Sequence, residues 1–299
     1  MPAKELFEWR DVLFEYVGFL SSYAMLGAVG FRYGILRAGV GKGDASFAAP
    51  FGSASSGAAG IGLLGVGLGV VSLVAGLLKR AEAKHLTLGG ALSAGGAASL
   101  AQVVLLVVLC VAFALAWRRI ALGWPIAGIA GLVFALRNLL AGRLAGMVNP
   151  LHVLGGSLWL GTLFVLVVCG IGQMLRPSVP AGEREPAVAE MVHRFSVVAL
   201  GGAWLLGITG IITSWTHLKW LSALWTTPYG YALLAKLGVV AAVLGLGAWN
   251  WRRVGPSLGS EGGARTIRRT ASTELVFAAV VLTITAVLVS LPSPKLPAH

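Results

Sequence analysis

The chain has 299 residues, 57% of them hydrophobic and only 11% charged, with a mean hydropathy of +0.84. Soluble domains carry about 25% charged residues, so an ordinary water-soluble enzyme, a disordered segment and a small disulfide scaffold are excluded. The net charge of +12, from 23 Lys and Arg against 11 Asp and Glu, reads as basic loops holding a polytopic membrane protein against anionic lipid, with no nucleic-acid partner.

Apolar runs long enough to span a bilayer predict an all-α membrane bundle of eight transmembrane helices, at 13–33, 58–79, 96–117, 120–141, 151–174, 195–215, 230–251 and 271–291. The first follows MPAKELFEWRDVLFEY, which lacks the basic start of a signal peptide and is expected to remain in place. GVGKGDASFAAPFGSASSG and KRAEAKHLTLGG separate the next pairs. In GVGKGD the lysine is followed by Gly43, not Ser or Thr, so no phosphate loop is present. Asn149-Pro150 opens the fifth segment, with proline in the tolerated first turn. RPSVPAGEREP precedes the sixth segment and GPSLGSEGGARTIRR the eighth.

Eight crossings put both termini on one side. Nine basic residues fall there, thirteen fall on the other side, and Lys236 lies inside the seventh segment. The thirteen mark the cytoplasmic face, so both termini are expected in the periplasm of a bacterial inner membrane. Gly96, Ala98, Leu100, Ala101, Trp117, Arg118 and Arg119 recur at a constant offset as Gly230, Ala232, Leu234, Ala235, Trp251, Arg252 and Arg253. That match reads as a parallel 4+4 repeat with halves 1–146 and 147–299. Gln102 then stands where the second half has Lys236.

An ionisable group inside a membrane is costly and is a functional candidate by default. Lys236 lies about 10 Å into the seventh segment. His152 sits at the same level of the fifth, with Gly156 and Trp159 on its face; glycine there admits another helix or a flat ligand. Imidazole, thiolate and thioether groups suit Cu(I), and they form a ladder: Met147, His152 and His217 toward the outer mouth, then Cys169, Met174, Met191 and His193 deeper. Near the cytoplasmic end Glu274 is expected to pair with Arg194, beside Asn250. Glu15 is expected to pair with Lys236.

Five stretches, LHVLGGSLWLGTLF, HRFSVVAL, TPYGYALLAKLG, AWNWRR and TELVFAAVVLTITAVL, together resemble the copper resistance protein D (CopD) family. That resemblance covers about 150–299 and reaches the first half only through helix count. It implies an eight-helix inner-membrane protein of copper transport or homeostasis, accepting copper at the periplasmic face. It also implies a separate periplasmic CopC-type copper-binding partner, since no such module is fused here. His152, Trp159, Arg194, Phe195, Tyr229, Gly230, Lys236, Asn250 and Glu274 occupy the family's motif positions. A weaker similarity, to the four-helix membrane protoporphyrinogen oxidase family, implies haem b with His152 as axial ligand and Lys236 at a propionate. A third reading is a structural subunit of a larger membrane complex.

Overall fold

The computed structural model describes residues 8–36, 48–137, 148–218, 220–254 and 262–291. Among these residues every regular element is helical. In chain order they are α1 (Trp9–Gly30), continued by a π turn at Phe31–Leu36, α2 (Ala48–Lys84), the short α3 (Leu88–Ala94), α4 (Gly96–Trp117) and α5 (Gly123–Leu136). There follow α6 (Val148–Met174), α7 (Ala181–Leu218), the one-turn α8 (Ala223–Thr226), α9 (Pro228–Trp249) and α10 (Gly263–Ser290).

Seven of these helices are long and apolar enough to cross a membrane, and α5 is a shorter apolar helix of 14 residues. The fourth expected span, 120–141, is present among the described residues only as the helix Gly123–Leu136, so seven and not eight helices of spanning length are found there. Residues 138–147, Met147 included, lie outside the described set. Two other helices outrun their expected limits. α2 begins at Ala48, inside the stretch read as a loop, because tertiary contacts hold that Ala/Gly/Ser turn: Trp124 donates to Ser55 Oγ at 3.1 Å and Arg119 to Ser56 Oγ at 3.4 Å. α7 begins at Ala181 and takes Pro186 into its second turn, which leaves the Gly182 carbonyl without its intrahelical donor.

The helices are inside out relative to a soluble bundle. On α4, Leu100, Val104, Val107 and Val111 are exposed, whereas Leu106, Leu109 and Phe113 are buried. On α7, Trp204, Ile208, Ile211 and Trp215 form a second outward stripe at the same i, i+4, i+7, i+11 spacing. Such apolar stripes fit a lipid surround. The centre is α6, 72% buried over its core window, against 11% for α7 and α9.

Small residues bring the backbones together, as membrane helices require when no hydrophobic force separates protein from lipid. A Cβ on Gly27 of α1 would strike the Gly161 backbone of α6, and one on Gly202 of α7 would lie 2.8 Å from the Gly155 carbonyl. α1 and α2 run antiparallel, tied by Ser21 Oγ donating to the Gly65 carbonyl at 2.8 Å. Where α4 turns into α5, Arg119 adopts φ 63° and Gly123 lies directly on the Ala116 backbone. α9 starts as its sequence dictates: Thr227 is extended, Pro228 follows, and Thr227 Oγ1 accepts from Gly230 N at 3.0 Å.

Candidate functional site

Three helices place His152. It lies in the second turn of α6, one turn before the Gly155–Gly202 crossing. That crossing sets α7 close enough for His152 Nδ1 and Thr209 Oγ1 to meet at 2.9 Å. The Thr209 hydroxyl donates its own proton to the Leu205 carbonyl at 2.5 Å. It has only one proton to give, so His152 Nδ1–H must be the donor to Thr209. The Leu206 carbonyl, 3.3 Å from the same hydroxyl, is a second acceptor on that edge of the ring. Nε2 is therefore the unprotonated nitrogen, with a lone pair available to a proton or a metal ion. An imidazole held through its far nitrogen in this way is the usual preparation of a histidine ligand.

Lys236 of α9 lies within Coulombic reach of His152. It is half-buried, eight residues past Pro228, or about 12 Å into the helix. The salt bridges among the described residues are Arg10–Glu82, Lys79–Asp11 and Arg194–Glu190, and Lys236 takes part in none of them.

A polar row continues along α7 to the end of the helix. Thr213 lies one turn beyond Thr209, and its buried hydroxyl has no partner. His217, a further turn on, points Nδ1 at the Thr213 carbonyl at 2.9 Å. It stacks on Tyr229 with ring centroids 6.0 Å apart and planes 10° from parallel. A nitrogen facing a carbonyl must carry the proton, so His217 also leaves Nε2 free. Thr209 and His217 are eight positions apart, about 12 Å along the helix, so the two imidazoles stand in series and do not share one ion. The two threonines escaped the sequence reading. Their signal is the inward row Gly202, Leu206, Thr209, Thr213, which faces away from the Trp204–Trp215 stripe.

The softer residues are packed elsewhere. Met174 and Met191 are fully buried, and Met191 Sδ lies against Gly170. The Cys169 sulfur faces Gly57 of α2, His193 is exposed on α7, and Trp159 is buried on the α6–α7 crossing. Among the described residues no three His, Cys, Asp or Glu side chains gather as a metal cluster.

Two expected pairs are replaced. Arg194 bonds Glu190 at 2.7 Å, one turn away on its own helix, and donates to the Ile35 carbonyl at 2.9 Å; the π turn at the end of α1 presents that oxygen. Glu274 instead accepts from Asn250 Nδ2, both groups being buried where α9 meets α10. Glu15 does not reach toward α9. Because α1 packs on α2, it lines a cavity of about 270 Å³ with Asp11, Lys79, Arg80 and Gln102. The glycine space beside His152 is also filled by protein. Tyr23 Oη lies where a Gly156 side chain would stand, and the Gly202 carbonyl is 3.0 Å from a Cβ on Gly155.

Comparison with known proteins follows the same half of the chain. Residues 189–288 match the profile of "Copper resistance protein D" (CopD). A stretch of 158 residues, 51% of the chain, is 30% identical to "Copper transport protein CutJ" of Bacillus subtilis (strain 168). That stretch spans 26% of the relative's length, so the chain corresponds to about a quarter of it. No solved structure matches. The apolar helices and this match together make the chain a multi-pass membrane protein with a copper-related pattern. The matched residues 189–288 are carried by α7, α9 and α10, and over that third of the chain it is similar to the copper resistance protein D family.

Proposed function

We propose that the protein moves copper across a bacterial inner membrane, with eight crossings and both termini in the periplasm, and that it takes up the ion at the His152 end of the bundle. The observation that carries this reading is the His152–Thr209 bond at 2.9 Å, which leaves one imidazole nitrogen prepared as a ligand inside a CopD-type helix bundle.

The chemistry suits a cargo better than a resident metal. Imidazole is a good donor for copper, and a single fixed donor holds an ion briefly. Lys236 opposes a cation at His152 and shortens its stay. Conduction needs binding strong enough to admit the ion and weak enough to release it. His217, stacked on Tyr229, supplies a free nitrogen nearer the helix end and serves as the outer stop. Cys169, Met174 and Met191 are soft donors along the interior. With Met147 and His193, they are the further ligands this reading assigns on the path. A periplasmic copper-binding protein of CopC type would deliver the ion there, and a larger membrane complex is compatible with the exposed apolar stripes. The haem b reading has weaker support, because Tyr23 and the α7 backbone take the space a macrocycle would need beside His152.

The test is copper accumulation in cells making His152→Ala at matched protein level. Uptake should fall to the level of cells without the protein, whereas undiminished uptake would remove His152 from the path. An absorption spectrum of the purified chain decides the haem reading, which requires a Soret band.

A further inference from the structure

The end of the bundle away from His152 carries a groove that copper chemistry does not use. It has a volume of about 730 Å³ and is lined by Leu175 from the end of α6 and by Arg265, Arg268, Arg269, Ser272 and Val276 of α10. Positions 265, 268, 269, 272 and 276 share one face of that helix. The three arginines are exposed and take part in none of the salt bridges among the described residues.

Their position is electrostatically unfavourable as it stands. They occupy the first two turns of α10, where the helix macrodipole is positive and repels cations. Among the described residues, the carboxylate bonded at that terminus belongs to Glu185 of α7. Its oxygens face the backbone N–H groups of Ala264 at 2.9 Å and Gly262 at 3.3 Å. Glu274 is bonded to Asn250 and Glu190 to Arg194. Three positive charges therefore converge on an open groove and form no ion pair among the described residues.

A second feature fixes what kind of anion fits. Below the arginines the same face continues into the exposed valines Val276 and Val280. A cluster of charge-assisted donors at the membrane boundary, followed by an apolar strip, matches a phosphate headgroup with its acyl chains and not a free ion. We propose that this groove binds the phosphodiester headgroup of an anionic phospholipid. The arginines would grip the phosphate oxygens in forked hydrogen bonds, and the chains would lie along Val276 and Val280. The inference is independent of the copper reading.

The test is native mass spectrometry of the full chain in detergent, titrated with phosphatidylglycerol and, separately, with phosphatidylcholine. Retention of phosphatidylglycerol should fall on the order of 100-fold when Arg265, Arg268 and Arg269 are all changed to Gln. It should hold when the exposed Arg118, Arg176 and Arg252 are changed instead, which removes the same charge elsewhere. Arg268→Gln alone should weaken retention several-fold, a readout that survives if the triple variant does not fold. Equal loss in the two triple variants would show only general charge attraction and overturn the proposal. Equal retention of phosphatidylcholine, or displacement of phosphatidylglycerol by millimolar inorganic phosphate, would overturn it too, the latter by pointing to a free anion.

Discussion

Replacing Thr209 with Val tests the preparation of His152 at the level of one atom. Valine keeps the branched shape and deletes the oxygen that accepts from His152 Nδ1 at 2.9 Å. The site is 4% exposed, so water does not readily replace that oxygen. An interior N–H left without a partner costs about 1–3 kcal/mol. At about 1.4 kcal/mol per factor of ten, that corresponds to roughly 5- to 150-fold. The Leu206 carbonyl beside the same ring offers partial compensation, which places the expected loss in copper affinity near about tenfold, at the low end of what the outer partners of ligating histidines contribute. The carbonyls of Leu205 and Leu206 lose only an extra donor, so the helix itself should hold. The assay is competition for Cu(I) against a chelator of known affinity, with Thr209→Ser beside Thr209→Val. The serine variant should bind within about twofold of the parent, because it keeps the hydroxyl. Parental affinity in Thr209→Val would refute the argument that this bond orients the ligand.

Lys236→Gln removes the charge opposing a cation at His152, so Cu(I) should bind more tightly and leave more slowly; faster transport with unchanged affinity would contradict that role. Asn250→Leu leaves the buried Glu274 without its partner and should lower stability by about 1–3 kcal/mol, whereas Asn250→Leu with Glu274→Leu should recover most of that loss; chemical denaturation in detergent reads the difference. Gly27→Leu drives a side chain into the Gly161 backbone, and overpacking of that kind costs about 1–3 kcal/mol or more, so the yield of monodisperse protein should drop sharply. Asp11→Asn breaks the Lys79 pair, whose lysine side chain is 57% exposed, and should change stability by less than about 1 kcal/mol in the same denaturation assay.

The helical class was legible because the hydropathy signal is averaged over about 20 residues, and single errors do not move it. Helix ends were less legible. Residues 48–57 look like a linker by composition, but Ser55 and Ser56 find partners on Trp124 and Arg119, and tertiary bonding outweighs local propensity. His152 and Lys236 stood out because polar groups are rare in such segments. Their neighbours were harder to name. Thr209 bears no formal charge, and its role depends on how closely Gly155 and Gly202 let two helices approach, a distance no one-dimensional pattern encodes. The Arg194–Glu274 expectation rested on equal depth alone. Depth does not specify direction around a helix, and each group found a nearer partner in Glu190 and Asn250.

The most direct test of the account is the copper content of the purified protein. Parental chain and His152→Ala would be held at equilibrium with a fixed free Cu(I) concentration set by a chelator and analysed for bound metal per chain alongside circular dichroism to confirm equal helicity. The account predicts that the parent retains copper and that His152→Ala loses it while keeping its fold. Equal copper in the two proteins, or none in either, would contradict it.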